Sequence, residues 1–388
     1  MIGVYVHIPY CLRKCRYCDF CSVPIDETAE RYRSAVEQEI ALVKDRYPGE
    51  RVKSVFFGGG TPTALPADDL CAILNAIQAA FAVEADAEIS VECNPKTIGF
   101  DGLRRLHEAG FNRLSIGLQA TQNDLLRRIG RVHTYEEFLS TYQAARDAGF
   151  SDINIDLMHG LPDQTQDDYL DAIRTVAALA PTHISAYSLI LEEETPLYAD
   201  VQAGRETLPD PDAVADMEDA GMALLEQLGY HRYEVSNFAK TGYECRHNLI
   251  YWHNEPYLGL GAAAHSSMVE GGLWVRFSNE SSIAAYLKKL DRGRLPRAER
   301  IIVNTFEQMF ESVMLGLRLV EGVDRAAFFA RFGCDVIETY AEAYEKNARF
   351  GFWDTSDPAF LRLTPQGMDH LDAVLRDFRE RRLIDFLR

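Results

Sequence analysis

GVYVHIPYCLRKCRYCDFC, residues 3–21, opens the chain with a β-rich run that empties directly into a cluster of thiols. Apolar side chains alternate with other types through residues 3–9, the period of a strand. Four cysteines then fall within eleven positions: Cys11, Cys15, Cys18 and Cys21. Thiolates are soft, polarizable ligands suited to iron–sulfur clusters. The Cys-x3-Cys-x2-Cys spacing lets Cys11, Cys15 and Cys18 converge on one face of a [4Fe–4S] cube and leaves one iron open. The alternative is a structural zinc site completed by His7, Asp19 or Cys21, although zinc knuckles usually pair two CxxC units and this loop has one. Eight cysteines in 388 residues are too sparse for a disulfide framework. Their crowding reads as metal binding in a reducing cytoplasm. Cys71 on a helix, Cys93 on a strand and the isolated Cys334 read as packing, and Cys245 is ambiguous because it lies two residues before His247.

The rest of the first half repeats the theme of a strand that ends in polar residues. Short β-rich runs at 3–9, 54–59, 88–95, 113–119, 153–162 and 183–191 alternate with helical patterns such as ERYRSAVEQEIALV, residues 30–43. Alternation of this kind implies an α/β fold with parallel pairing and right-handed crossovers. Periodicity leaves open a doubly wound sheet or a partial (β/α)6 barrel. Each run carries its unusual residues at its C-terminal end: the cysteine loop, Gly58-Gly59-Gly60, Glu92 and Asn94, Gln119, Asp156 with His159, and Tyr187-Ser188. Parallel α/β folds place their sites there, so the six ends point to one mouth.

After residue 191 the rhythm fades into an acidic, proline-punctuated stretch, a helix near 212–228, an aromatic-rich segment at 230–267 and a small α+β appendage from about 295. The chain carries 40 basic and 59 acidic residues, a net charge of −19 that disfavours a nucleic-acid partner. MIGVYVHIPY lacks the pattern of a signal peptide, and no run of eighteen apolar residues is present, so a cytoplasmic protein is expected.

CLRKCRYC, with its flanks YVHIPY and DF, resembles the radical-SAM signature and within it the HemN/HemW branch. FFGGGTPT, RLSIGLQ, IDLMHGLP, YEVSNFAK, RHNLIYWHNEPYLGLGAAAHS and LTPQG extend the likeness across nearly the whole chain. The resemblance implies a partial (β/α)6 radical-SAM barrel over 1–230, a connecting segment with a haem-binding HNxxYW motif over 231–294, and a C-terminal α+β domain over 295–388. It implies a [4Fe–4S] cluster on Cys11, Cys15 and Cys18, whose open iron takes S-adenosylmethionine and allows reductive formation of a 5′-deoxyadenosyl radical. Tyr5, Tyr17, Gly59, Gly60, Thr61, Glu92, Gln119 and Asp156 match the family's cofactor contacts, and Arg131 matches the arginine that pairs the cofactor carboxylate.

Two activities compete within the branch: oxygen-independent coproporphyrinogen III oxidation, and a haem chaperone that passes haem to an acceptor protein. The oxidase signature has a fourth cysteine where this chain has Phe20, and an N-terminal extension before its first strand, where this chain begins four residues before Tyr5. His247-Asn248-Leu249-Ile250-Tyr251-Trp252 matches the HNxxYW motif of the chaperones. The chaperone is therefore expected, with His247, Tyr251 and Trp252 on haem. Outside the motif His247 would read as a core histidine, and His253 and His265 are rival ligands. A radical-SAM enzyme that modifies haem is a further alternative. An electron donor is expected if radical chemistry occurs, and a homodimer is left open.

Overall fold

The computed structural model describes residues 1–384. All six β-rich runs are strands: β1 Ile2–Ile8, β2 Arg51–Gly59, β3 Ala82–Cys93, β4 Arg113–Gln119, β5 Asp152–His159 and β6 His183–Ser188. They pair in sequence order and in parallel, which obliges each connection to cross over through a helix. The crossovers are α1 Ala29–Lys44, α2 Ala67–Ala80, α3 Phe100–Glu108, α4 Asn123–Arg128 with α5 Tyr135–Asp147, and α6 Gln166–Ala178. Two of them start at capping boxes, Thr134 with Glu137 for α5 and Thr165 with Asp168 for α6. Such a cap contributes about 1 kcal/mol and fixes where the helix begins.

The sheet continues past both flanks of this set. After α7 Pro196–Gln202 and α8 Pro211–Gln227, β7 His231–Arg232 and β8 Asn237–Ala239 add antiparallel strands beside β6. On the other flank β9 Tyr257–Leu260 runs parallel to β1, followed by antiparallel β10 His265–Glu270, β11 Leu273–Asn279 and β12 Arg297–Ile302. The twelve strands lie in the order β12-β11-β10-β9-β1-β2-β3-β4-β5-β6-β8-β7. The two ends do not pair with each other, so the barrel is open. The partial barrel expected from sequence is present, and the segment read as a connector supplies it with a seventh parallel strand, β9. Because β12 belongs to this sheet, the appendage has its own core only from Thr305 onward, built on Val313, Leu317, Phe328, Trp353 and Phe378. Arg331 ties it back, stacking 4.0 Å over the Trp274 ring and donating to the Asn254 carbonyl at 2.9 Å. Among the described residues no helix is long and apolar enough to cross a membrane.

Strand alternation sorts the side chains into a shell and a lumen. Val4, Val6 and Ile8, Val55 and Phe57, Ile89 and Val91, Leu114 and Ile116, and Ile153 and Ile155 are buried in the main apolar core. The opposite face presents Tyr5, Phe56, Glu92, Arg113, Ser115, Asn154, Asp156, His183 and Ser185 to a cavity. Barrel interiors are commonly filled by Val, Ile and Leu. This lumen is polar and hollow instead, which suits a binding chamber.

Candidate functional site

Two cavities, of about 350 and about 420 Å3, lie along the barrel. The first is the mouth, at the C-terminal ends of the strands, and Cys11, Cys15 and Cys18 line it together with Gly59, Gly60, Thr61, Glu92, Gln119, Arg131 and Asp156. The second is the lumen below, which reaches His247 and Tyr251. Tyr17, Phe20, Glu92, Ser115, Gln119, Asp156 and Met158 line both, so the two are contiguous. Each falls in the ~300–1,000 Å3 range typical of ligand sites.

The cysteine loop is held from several sides. Arg13 donates to the Gly130 and Arg131 carbonyls at 2.9 and 3.3 Å, and the Arg16 amide donates to the Ile129 carbonyl at 3.0 Å. The Gly60 and Thr61 amides bind the carbonyls of Ile8 and Tyr10, seating the glycine turn beside Cys11. Gly59 has φ of +112°, and a Cβ there would stand 2.6 Å from the His7 ring, so only glycine fits this strand end. Gln119, at the end of β4, also occupies the left-handed region at φ +78°, backbone strain of a kind that clusters at sites.

Hydrogen-bond donors are aimed at the sulfurs. The Thr61 hydroxyl lies 3.5 Å from Cys11 Sγ, and Arg131 Nη1 lies 3.6 Å from Cys15 Sγ. Asn94 joins the two, donating to Thr61 Oγ1 at 2.6 Å and accepting from Arg131. Such donors stabilise thiolates. Three soft ligands on one short loop, two directed donors and an open cavity fit a [4Fe–4S] cluster. Among the described residues no three His, Cys, Asp or Glu side chains gather tightly enough for a single metal ion, and the three thiols line one open cavity. Cys21 is exposed, lines neither cavity and turns its Sγ toward the Ser281 carbonyl, 3.8 Å away.

The polar wall below the loop is graded by burial. Glu92 accepts the Gly59 amide at 3.2 Å, and burial, reinforced by Asp156, pushes its carboxyl up to about 8. Asp156 accepts from Asn154 Nδ2 at 2.7 Å, and burial raises it too. Tyr5 sits midway along β1 and donates to His7 Nδ1 at 3.1 Å. The other ring nitrogen of His7 donates to the Cys21 carbonyl at 2.9 Å, which fixes the tautomer because a carbonyl can only accept.

The HNxxYW segment is α9, Arg246–Trp252, and it packs at the opposite end of the lumen from the thiols. Glu88 caps it, accepting the Arg246 and His247 amides at 2.7 and 3.2 Å. Gly3 of β1 makes room for the helix: a Cβ there would lie 2.8 Å from Ile250 and 3.3 Å from the His247 ring. His247 is 1% exposed and bonded through both nitrogens, Nδ1 to the Ser54 hydroxyl at 2.8 Å and Nε2 to the Tyr251 hydroxyl at 2.9 Å. Burial, and then Arg113, lowers its pKa to about 3, so the imidazole is neutral. An iron at Nε2 would have to displace the Tyr251 hydroxyl. Trp252 does not line the lumen; Arg318 of the appendage sits 6.0 Å from its ring. His253 pairs with Glu321 at 3.0 Å on the surface, and His265 is exposed on β10. Cys245 is fully buried beside Glu88, lines neither cavity, and burial pushes its thiol up to about 12.

Sequence reasoning marks Asn94 as a polar strand end without a contact, and it passes over Ser54, Arg113, Asn154 and His183, which line the lumen or bond its residues. The strand period could have placed the last three on the inner face. Nothing local announces that the face is hollow.

A cysteine loop at the mouth of an open parallel barrel is the arrangement of the radical-SAM class, and the profile of the Radical SAM superfamily matches residues 5–176. The profile of the HemN C-terminal domain matches residues 306–370. The chain is 38% identical to the heme chaperone HemW of Bacillus subtilis, over 95% of this chain and 96% of that protein. It is 35% identical to the heme chaperone HemW of Escherichia coli, over 97% and 98%. A solved structure of coproporphyrinogen III oxidase (HemN) from Escherichia coli, a radical-SAM enzyme, superposes with a TM-score of 0.83 at 25% identity, covering 97% of this chain and 89% of that one. The chain belongs to the HemW family of radical-SAM proteins.

Proposed function

We propose that the protein binds a [4Fe–4S] cluster and S-adenosylmethionine at the mouth of the barrel, binds haem through His247 and delivers it to an acceptor protein. The observation that carries this reading is the placement of a buried, neutral His247 on a hollow lumen continuous with the thiol-lined mouth. Neutral imidazole is a common haem ligand, and the relatives named heme chaperone cover nearly the full chain. When bound, the cluster and S-adenosylmethionine supply reductive cleavage of the sulfonium. Thr61 and Arg131 would hold charge on the sulfurs, and the glycine turn at 59–60 would let backbone approach the cofactor. Glu92, Gln119 and Asp156 would form its polar wall.

The test compares His247→Ala with His253→Ala and His265→Ala by the Soret band and haem affinity, with circular dichroism as a folding control. Loss of at least about tenfold in affinity is expected for His247 alone, the scale of one broken ligand contact worth ~1.4 kcal/mol or more. Unchanged binding in folded His247→Ala protein would remove the assignment. The continuity of the chambers favours a second reading, a radical-SAM enzyme acting on haem. Haem recovered chemically altered after anaerobic incubation with S-adenosylmethionine and reductant would select it. Oxidation of coproporphyrinogen III is disfavoured by Phe20, which stands where the oxidase signature has its fourth cysteine.

A further inference from the structure

Arg113 opens β4 and is 2% exposed, and it faces the lumen. Its Nε has no hydrogen-bond partner, and its ion pair with Asp152 spans 3.8 Å, too long for a hydrogen bond. Asp152 and Glu88 stand near enough to stabilise its charge, but neither hydrogen-bonds it. Asp152 accepts the Thr182 hydroxyl at 2.8 Å. Glu88 accepts the Ser90 hydroxyl at 3.1 Å and the two amides that start α9. A buried guanidinium with an idle Nε donor is costly, and native proteins pair nearly all such groups. The fork of the guanidinium matches a carboxylate through two parallel hydrogen bonds.

We propose that Arg113 forms a carboxylate subsite in the lumen and that its occupant is a propionate of haem. This rests on the placement of haem at His247 argued above, because His247 and Arg113 line the same chamber. Ser115 and Asn154, on the inner faces of β4 and β5, line the same wall and can supply further polar contacts. Iron at His247 and a propionate at Arg113 would set the orientation of the macrocycle. The other carboxylate available to this barrel is that of S-adenosylmethionine, which shares the chemistry and is separated from the propionate by experiment.

The reconstituted full-length protein is titrated with haem and with haem dimethyl ester, in which both propionates are blocked. Wild type is expected to bind the ester at least about tenfold more weakly, in keeping with the worth of a buried charge-assisted pair. Arg113→Gln is expected to bind haem at the level of the ester, to bind the ester as wild type does, and to leave S-adenosylmethionine affinity unchanged. Arg113→Lys should recover part of the preference. Equal binding of haem and ester by wild type overturns the subsite without needing any variant to fold, and leaves only water at Arg113. A preference that survives in Arg113→Gln assigns the propionate to another group and also overturns it. Loss of S-adenosylmethionine binding with haem binding retained moves the carboxylate to the cofactor. Absence of haem binding by wild type rejects the haem reading itself, which is a different result from binding without discrimination.

Discussion

The two ends of the lumen are built in opposite ways. At the mouth, three thiols come from eight consecutive positions, Cys11 to Cys18, and their neighbours already point donors at them. At the floor, Ser54, Glu88, Arg113, His183 and His247 come from five separate elements, and the only cation among them makes no hydrogen bond through Nε. Thiols gathered on one short loop need the rest of the chain only to seat that loop and to aim donors at it. A chamber for a larger ligand has to be assembled by the whole barrel: His247 bonds Ser54 and Tyr251, His183 bonds Asn154 and Tyr233, and Arg113 Nε is left without a partner.

The largest effect that could break this contrast is at the loop. Cys15→Ala, like Cys11→Ala or Cys18→Ala, should abolish cluster iron and its brown absorption on anaerobic reconstitution, because on the proposed reading each would supply one of three ligands. Cys21→Ala should retain both, since Cys21 is exposed and points away from the cavity toward Ser281. Equal iron loss in Cys21→Ala and Cys15→Ala protein would mean that the loop rearranges to use a fourth thiol, and the mouth would no longer be prebuilt.

The same contrast explains what the sequence could disclose. Six strands and the mouth were legible because period-two runs end in glycine or polar residues, and because CxxxCxxC is a contiguous signal. Glu92, Gln119 and Asp156 were legible as strand ends, and the structure brings them onto one cavity with the thiols. The floor was not legible. Whether Arg113 faces a hollow or a packed interior depends on Tyr5, Phe56 and Tyr251 failing to fill the lumen, which no local pattern encodes. β9 was missed because YLGL is four residues inside a segment dense in turns and aromatics, and it becomes a strand by pairing with β1. The appendage start was read at 295, although 297–302 pairs with β11 through a register that only the fold provides.

Glu39 supplies a control for the floor, as a buried carboxyl whose oxygens are both partnered. It is 2% exposed and accepts from Gly261 N at 2.8 Å, Tyr286 Oη at 2.7 Å and Asn279 Nδ2 at 2.6 Å, which joins α1 to the β9–β11 flank. Burial outweighs these donors and raises the carboxyl to about 7. The folded chain therefore keeps a proton that the unfolded chain releases above the ordinary carboxyl range. Stability should fall as pH rises from roughly 4.5 to 7 and level off beyond, by on the order of 2 kcal/mol for this group. Glu39→Gln should remove that slope, measured as the difference in urea unfolding between pH 5 and pH 8. Parallel pH profiles for parent and variant would show that the three donors already hold Glu39 ionised, and would weaken the rule that separates it from Arg113.

The smallest expected effect tests whether the mouth is rigid because of its own loop or because of what clamps it. Arg16, between Cys15 and Tyr17, reaches outward to the acidic, proline-punctuated stretch that follows residue 191. Its Nη1 donates to the Arg128 carbonyl at 2.6 Å and to Glu206 at 3.1 Å, and its Nη2 binds Asp200. Its own carbonyl accepts the amide of Leu197, the second residue of α7, Pro196–Gln202. The side chain is about a third exposed, so solvent screens the ion pairs and the clamp is worth roughly 1 kcal/mol. Arg16→Ala should leave iron content at reconstitution unchanged and speed iron loss to a chelator by about fivefold, the rate equivalent of that energy. Arg16→Lys should fall between, because an ammonium can keep one acidic partner but not the fork that spans two. Iron loss at the parent rate in Arg16→Ala would mean that the bonds of Arg13 and Thr61 suffice, and that the acidic stretch serves something other than the cluster loop.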